Sequence, residues 1–287
     1  MKKEVKVKII RDDGKEFVID HSIWGIPSDG LIGFDSVTNE VYTENMASGD
    51  GSRKTGARIA EKDRTIKARL MNRALNEIQR HVVISFFNPK YSFKVYVTYQ
   101  GRTRWCDGEQ IGFSCPTANI YKPLEITWTI LSTMPYLKSV DNYGENIAEL
   151  IPMFGFPFRS LEGIGFGVGV YKFAKNVLID NAGDVETFFQ CSITATGDVK
   201  NPKIVKDNKY VRIIDELVEG DVYVIDFVAR PPTVKKNGIN AIGKIDRTSS
   251  LTGMSLEVGG ARFGFDADTG SDNMRVEIYR YERFLGI

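Results

Sequence analysis

The sequence is poor in the residues on which most catalytic and metal sites depend. It has two histidines and three cysteines among 287 residues. Two histidines leave little room for histidine-based acid–base chemistry, and neither a G-x-S-x-G nor an H-E-x-x-H motif occurs. Cys106, Cys115 and Cys191 match no zinc spacing, and their odd number fits no disulfide framework. We expect three free thiols, no metal, no other cofactor and no enzymatic activity.

Long apolar runs and a strong net charge are also missing. No run approaches the roughly 20 residues that span a bilayer, and the first six residues alternate charge with apolar side chains, unlike a signal peptide. The formal net charge is +1, with 21 Lys/Arg against 16 Asp/Glu in residues 1–140. This bias is too small for a nucleic-acid binder. The sequence predicts a protein made in a cytosol, with no membrane segment and no nucleic-acid contact as its main function.

Alternation of apolar and polar residues dominates and predicts a mainly β fold. Val5–Ile9 and Phe17–Ile19 indicate a hairpin, and similar alternation occurs at Phe93–Tyr99 and Leu124–Ile130. A further hairpin turning at Asp107–Glu109 would place Cys106 opposite Cys115.

One helix is predicted, over residues 73–85. Asn72 can cap its start, and Asn88-Pro89 ends the segment that follows it. Four apolar residues recur at helical spacing, and we expect them to pack on the first sheet: Met71, Leu75, Ile78 and Val82.

The chain changes character between Ser132 and Phe158, where prolines interrupt the alternation. We therefore expect two domains, at residues 1–138 and 139–287. Short strands follow at close spacing, as in a β-sandwich. The expected strands are Val168–Phe173, Val177–Asp180, Thr187–Thr196, Tyr210–Ile214, Asp221–Phe227, Ala261–Phe265 and Met274–Tyr281. Whether the last of them returns to the first domain stays open.

Two ligand patterns are incomplete. The alternate glycines of Gly163–Gly169 lack the third glycine and the following helix of a dinucleotide loop. Asp266, Asp268, Asp272 and Glu277 have a partial calcium-loop spacing, but Gly270 and Ser271 occupy ligand and turn positions. Both patterns are better explained by structural turns and close strand packing.

The strongest excess of basic over acidic residues lies between residues 53 and 73. Without interleaved aromatic residues it does not resemble a single-strand nucleic-acid platform. This basic stretch could simply be a solvated surface, but we expect it to contact an acidic surface of a neighbouring subunit. The candidate interface residues are Arg53, Lys54, Arg58, Lys62, Arg64, Lys67 and Arg69.

Several segments together resemble the distal tail proteins of long-tailed bacteriophages and prophages. The similarity covers most of the chain, although each pattern is a loose one of turns and apolar positions. The segments are Ala47–Ser52, Pro123–Trp128, Met134–Leu137, Val177–Thr187, Gly197–Ile204, Met254–Phe265 and Arg275–Gly286.

The resemblance implies a fold and a function. The first domain would be a split β-barrel or β-sandwich with one α-helix, and the second a galectin-like β-sandwich. The protein would form a hexameric ring at the virion tail tip that links the tail tube to the tail hub and adsorption apparatus. Its implied partners are further copies of itself, the major tail tube protein, a tail hub protein and, as a further candidate, a receptor-binding protein.

Two alternative functions stay open. A galectin-like sandwich with Trp105, Trp128 and twelve tyrosines could stack on sugar rings as a carbohydrate-binding module. A tail-embedded hydrolase is the other alternative, because a pair of catalytic carboxylates leaves no sequence signature.

Overall fold

The chain folds into two β-rich units. The computed structural model describes residues 5–116, 122–141, 143–146, 149–152, 169–172 and 177–287. Unit 1 comprises residues 1–140 together with 283–287, and unit 2 comprises residues 141–282. The prediction of a mainly β fold with one α-helix is confirmed for the described residues.

Unit 1 contains a nearly closed, barrel-like sheet and a separate two-stranded ribbon. Its first eleven strands are β1 Val5–Arg11, β2 Glu16–Ile19, β3 Trp24–Gly25, β4 Leu31–Ile32, β5 Asn39–Asn45, β6 Ser52–Ile59, β7 Lys62–Leu70, β8 Ser92–Tyr99, β9 Arg102–Ser114, β10 Glu125–Ser132 and β11 Leu137–Ser139. The main path of the sheet runs β2-β1-β8-β9-β10-β7-β3, with β4 beside β7 and β11 beside β9. β5 and β6 pair with each other, outside this sheet.

The predicted alternation places one row of side chains inside this sheet. Ile9 lies opposite Val95, which lies opposite Cys106, and all three are buried. On the other half of the sheet Trp128 lies opposite Ile66, and its ring contacts Phe93 at a centroid distance of 5.1 Å. Burying such side chains is the main force that holds the unit together.

The helix α1 spans Asn76–Phe86 and follows a 3-10 turn at Arg73–Leu75. As predicted, Asn72 caps the start, and its side chain accepts a hydrogen bond from the Ala74 N–H. The predicted apolar stripe is wrong for Met71, Ile78 and Val82, which are exposed, while Leu75 does pack partly buried against the core. The helix instead buries Val83 and Phe86, because the aromatic cluster of Phe17, Phe87 and Phe93 lies against that side.

The predicted turn at Asp107–Glu109 is also wrong. β9 continues from Arg102 to Ser114, with β8 and β10 on its two sides. Cys106 lies on the strand and Cys115 just beyond its end, so the two thiols do not face each other. Gly108 is needed on the buried face because a Cβ there would meet Ile130 Cδ1 at 2.6 Å.

Unit 2 is a β-sandwich. Its strands are β12 Tyr143–Asn146, β13 Glu149–Pro152, β14 Gly169–Lys172, β15 Val177–Ile179, β16 Phe189–Ala195, β17 Val199–Lys200, β18 Lys203–Lys206, β19 Lys209–Arg212, β20 Glu216–Leu217, β21 Val222–Asp226, β22 Thr233–Lys236, β23 Ile239–Asn240, β24 Ala261–Asp266 and β25 Met274–Arg280. Short 3-10 turns lie at Ile242–Lys244 and Ser271–Asn273. Of the glycine run Gly163–Gly169, the first six residues lie outside the described residues.

Two sheets enclose the core of unit 2. One has the order β12-β25-β16-β21-β22-β23 and the other β15-β24-β18-β19. Phe189 on the first and Phe263 on the second meet edge to face, with ring centroids 5.1 Å apart. Both side chains are fully buried, so the two sheets pack their apolar faces against each other.

The end of the chain returns to unit 1, but not by the strand considered in the sequence. β25 pairs with β12 and β16 inside unit 2. The returning segment is β26, Arg283–Phe284, which pairs with β11. Arg104 donates to the Gly286 carbonyl, and Ile287 N–H donates to the Phe34 carbonyl at 2.9 Å. Unit 1 therefore uses residues from both ends of the chain.

A candidate assembly surface

The most exposed structured element is the ribbon of β5 and β6, residues 39–59, which we call the arm. Every residue from 41 to 55 is exposed, although most of them lie in strands. Exposed apolar side chains include Val41, Tyr42 and Met46, with 51%, 47% and 52% of their surfaces accessible. The arm is therefore a folded element that packs little against its own chain.

The local sequence explains why the arm turns back on itself. Gly49 and Gly51 both have φ of 101°, a conformation open to glycine at little cost. Next to this tip, the Ser52 hydroxyl donates to the Asn45 side-chain oxygen at 3.1 Å. Glycines close together between two segments are a turn signal, which here marks the tip of a hairpin.

The arm has two different faces. Residues opposite each other in an antiparallel ribbon share a face, so Val41 and Ala57 lie together, next to Ile59. The other face is charged, and there Glu40 lies opposite Arg58. Glu40 accepts hydrogen bonds from Arg58 and Tyr42, and these bonds lower the pKa of Glu40 below its ordinary value. A lone two-stranded ribbon is marginally stable in water, so an apolar face on one calls for a partner surface.

Three of the seven predicted interface cations meet a carboxylate of their own chain. Arg58 Nε lies 2.8 Å from Glu40, and Lys67 Nζ lies 2.6 Å from Asp29. Arg69 Nε lies 3.6 Å from Glu125. These contacts are at the surface, where ion pairs contribute little to stability. Carboxylates of the same chain nevertheless supply the negative charge that the sequence predicts on a neighbouring subunit.

Arg64 is not at the surface at all. Only 1% of the residue is exposed, because on β7 it shares the inward row with Ile66 and Ala68. Its Nη2 donates to the Pro135 carbonyl, while Nε and Nη1 have no hydrogen-bond partner in the described part of the chain. Burial lowers the pKa of this guanidinium. As an interface candidate Arg64 is therefore corrected to an interior residue.

The other three candidates are accessible and have no carboxylate partner within the described residues. Lys62 Nζ donates to the Thr38 hydroxyl at 3.1 Å. Arg53 and Lys54 lie on β6 near the tip of the arm, and both are exposed. Arg53 and Lys54 therefore lie exposed on the arm, and their role at an interface stays a prediction.

The incomplete calcium pattern does not converge on one point. Asp268 accepts hydrogen bonds from Arg212 and Asn201, while Glu277 accepts from Arg275 and Tyr279. Across the described residues no group of three or more His, Cys, Asp or Glu side chains could hold a metal ion. None of the helices within the described ranges is long and apolar enough to cross a bilayer.

The tryptophans proposed for sugar stacking are not available for it. Trp105 is 7% exposed and Trp128 is 1% exposed, and both lie in unit 1 rather than in the sandwich. Trp105 donates to the Ser139 carbonyl at 2.7 Å, and Trp128 donates to Gln110 at 2.9 Å. Both rings are part of the fold, which removes the two tryptophans from the argument for a carbohydrate-binding module.

The chain is similar in fold to two solved structures of phage tail components. The crystal structure of SPP1 Dit (gp 19.1), described as a paradigm of hub adsorption apparatus in phages infecting Gram-positive bacteria, matches with a TM-score of 0.69 at 10% identity. That match covers 97% of this chain and 99% of the other. A chain of the phage p2 baseplate, in its activated conformation with Ca, matches with a TM-score of 0.51 at 14% identity over the full length of both. At such low identity these matches establish the fold alone.

Sequence comparison is more specific for part of the chain. No curated protein matches significantly. The family model described as siphovirus-type tail component, C-terminal domain, matches residues 182–284. The match covers about a third of the chain, and together with the fold shared with SPP1 Dit it confirms that the chain resembles distal tail proteins.

Proposed function

We propose that this tail component is a distal tail protein, which forms a hexameric ring at the tail tip and joins the tail tube to the tail hub and adsorption apparatus. The family match and the fold shared with SPP1 Dit support a role in the tail or baseplate. The function would be one of geometry, with no enzymatic activity. Unit 2 would be a galectin-like sandwich that faces outward.

The arm is the observation that carries this proposal. It exposes Val41 and Met46 on an element that would not be stable by itself. A contact between the arm and a different surface of the next copy is heterologous, and repeated heterologous contacts close into a ring when the rotation is right. Unit 1 would therefore assemble, and Arg53 and Lys54 would lie at or near the contact.

The partners follow from this position in the virion. One face of the ring would dock on the major tail tube protein, and the other on a tail hub protein. A receptor-binding protein is a further candidate partner. The protein would be synthesised in the bacterial host cytoplasm before it joins the virion tail tip.

The mass of the purified protein in solution tests the proposal. We expect native mass spectrometry and light scattering to give six copies for the full chain, and electron microscopy to show a ring. Val41→Asp places a charge on the apolar face of the arm and should give a monomer that is folded by circular dichroism. Leu178→Asp is the matched control, because Leu178 is 64% exposed in unit 2 and should leave the hexamer intact. A full chain that stays monomeric at every concentration, with no ring visible, would overturn the proposal.

A further inference from the structure

A groove in unit 1 lies along an open strand edge. β8 covers one side of β9 only as far as Glu109, which pairs with Ser92. On its other side β9 pairs with β10 through Ser114. Within the described part of the chain, residues 110–114 therefore have a strand partner on one side alone. An open edge presents unpaired backbone N–H and C=O groups to any strand that can reach it.

The end of α1 forms the opposite wall of this groove. The space between them has a volume of about 590 Å³, and its lining includes Ile84, Phe87, Gln110, Ile111 and Phe113. Two of the apolar residues are unusually accessible, Ile84 at 47% and Ile111 at 54%. The lining residues carry no formal charge, so the groove suits an uncharged strand.

Contacts between the two walls hold the groove in shape. The Gln110 side chain donates to the Phe87 carbonyl at 3.2 Å. The rings of Phe87 and Phe113 stack with centroids 5.1 Å apart. Further along, Arg80 Nη1 donates to the Cys115 carbonyl at 2.8 Å. A groove tied in this way is preorganised for an incoming segment, which reduces the entropy lost on binding.

We propose that this groove receives β5 of the arm of a second copy, which adds to the edge of β9 as a further antiparallel or parallel strand. The inference rests on the proposed ring and names the surface that accepts the arm. Strand addition of this kind combines main-chain hydrogen bonds with pockets for alternate side chains.

The arm fits the groove in charge and in length. Alternate residues of β5 form one uncharged face, made of Asn39, Val41, Thr43 and Asn45, while the other face carries Glu40 and Glu44. The uncharged face of β5 matches the uncharged lining, and Lys54 of β6, opposite Thr43, lies at the tip end of this face. Seven residues of β5 extend over about 24 Å, and the five residues of the open edge over about 17 Å, so the strand can cover the edge completely.

The arm is not seated in the groove of its own chain, since residues 41–55 are exposed throughout. Its docking would cover Val41 on one copy and Ile84 and Ile111 on the next. The arm and the groove are different surfaces of one unit, so each copy would give one contact and receive one.

Mixing two complementary variants of the full chain tests this directly. Val41→Asp has a damaged arm and an intact groove, and Ile111→Asp has an intact arm and a damaged groove. Each alone should be monomeric, with at least a tenfold loss of association. Mixed in equal amounts, they should form a one-to-one heterodimer by native mass spectrometry, because one intact arm meets one intact groove and no second contact can follow.

Controls separate the groove from the ring itself. Ile78→Asp changes an apolar residue that is 64% exposed on another flank of α1, and it should leave assembly unchanged. Ile84→Asp replaces Ile111→Asp if circular dichroism shows that the latter is misfolded. If the groove variants keep the ring while Val41→Asp loses it, the ring stands and the groove is wrong. If the full chain itself is monomeric, both proposals fail.

Discussion

The two units treat their hairpins differently. In unit 2, the hairpin of β18 and β19 also pairs with β24, and it buries Ile204 and Val211. In unit 1, the hairpin of β5 and β6 pairs with no other strand that the structure describes, and Val41 is left half exposed. A hairpin is thus extended by a third strand in unit 2, whereas the hairpin of unit 1 has no third strand among the described residues.

Charged groups show the same contrast. In unit 2, Lys236 contacts Asp215 at 3.1 Å and Asp221 at 3.0 Å, and Lys244 contacts Asp215 at 3.2 Å. On the arm of unit 1, Arg53 and Lys54 have no carboxylate partner within the described residues. The two lysines are paired with carboxylates inside unit 2, whereas the two cations of the arm are accessible to a second molecule.

The strongest test of this contrast removes one core side chain from each unit. Trp128→Ala and Phe263→Ala each delete a buried aromatic ring, which typically destabilises a domain by about 3 to 5 kcal/mol. We expect Trp128→Ala to abolish assembly and Phe263→Ala to preserve it, as measured by calorimetry together with light scattering. Loss of the ring in Phe263→Ala, with unit 1 still folded, would place the assembly surface in unit 2.

Removing residues 283–287 should have the next largest effect, and it should act on unit 1. The deletion removes β26 and leaves the half-buried Arg104 without the Gly286 carbonyl and the Phe284 ring that lies 3.7 Å from its guanidinium. Losing a hydrogen bond to a charged group costs about 1.5 to 3 kcal/mol. We expect the melting transition of unit 1 to fall while that of unit 2 stays in place.

The same segment changes how the units should be expressed separately. A fragment of residues 1–138 lacks β26 and the end of β11, so its failure to assemble would be ambiguous. Residues 1–140 joined by a short linker to 283–287 form the matched fragment. We predict that this fused fragment assembles and that residues 141–282 do not.

Most of the sheet could be predicted from the sequence because alternation reports burial directly. The strands at Val5–Arg11 and Ser92–Tyr99 each have one row of buried apolar residues, as expected. The helix was located correctly, yet its buried face was not. Ile78 and Val82 fit a helical stripe as well as Val83 and Phe86 do, and only the position of the aromatic cluster decides between them.

The candidate site was harder to predict because its residues are not buried. The arm has no buried row, so alternation gives a weak signal there even though the strands form. Conversely, a basic residue in a basic stretch looks exposed, and Arg64 is interior only because β7 alternates through it. Composition singled out the basic stretch, but the register of the strands was needed to separate its paired, buried and accessible residues.

A smaller effect separates the arm cations from the paired ones. Replacing Arg53 and Lys54 together by Glu reverses charge near the proposed contact, and we expect association to weaken by about tenfold, or about 1.4 kcal/mol. Lys67→Glu and Arg69→Glu are matched controls, since both residues are already paired with Asp29 and Glu125. Sedimentation at several salt concentrations measures the difference. Equal weakening by both pairs would indicate a general charge effect rather than a contact of the arm.

The smallest expected effect is acid sensitivity that Asp215 gives to unit 2. Burial by itself raises the pKa of Asp215, but hydrogen bonds from Tyr223, Lys236 and Lys244 outweigh it and lower the pKa to about 2. Because this pKa lies below the ordinary value, the unfolded chain binds the proton more tightly. The stabilisation is therefore present above about pH 4 and is lost as the pH falls toward 2.

In Asp215→Asn, the melting temperature of unit 2 should be lower at pH 7 and should change less between pH 4 and pH 2. Glu219→Gln, at an exposed carboxylate, should retain the pH dependence of the unchanged protein. An unaltered pH profile in Asp215→Asn would show that this network does not stabilise unit 2. The difference in charge pairing between the units would then not be a difference in stability.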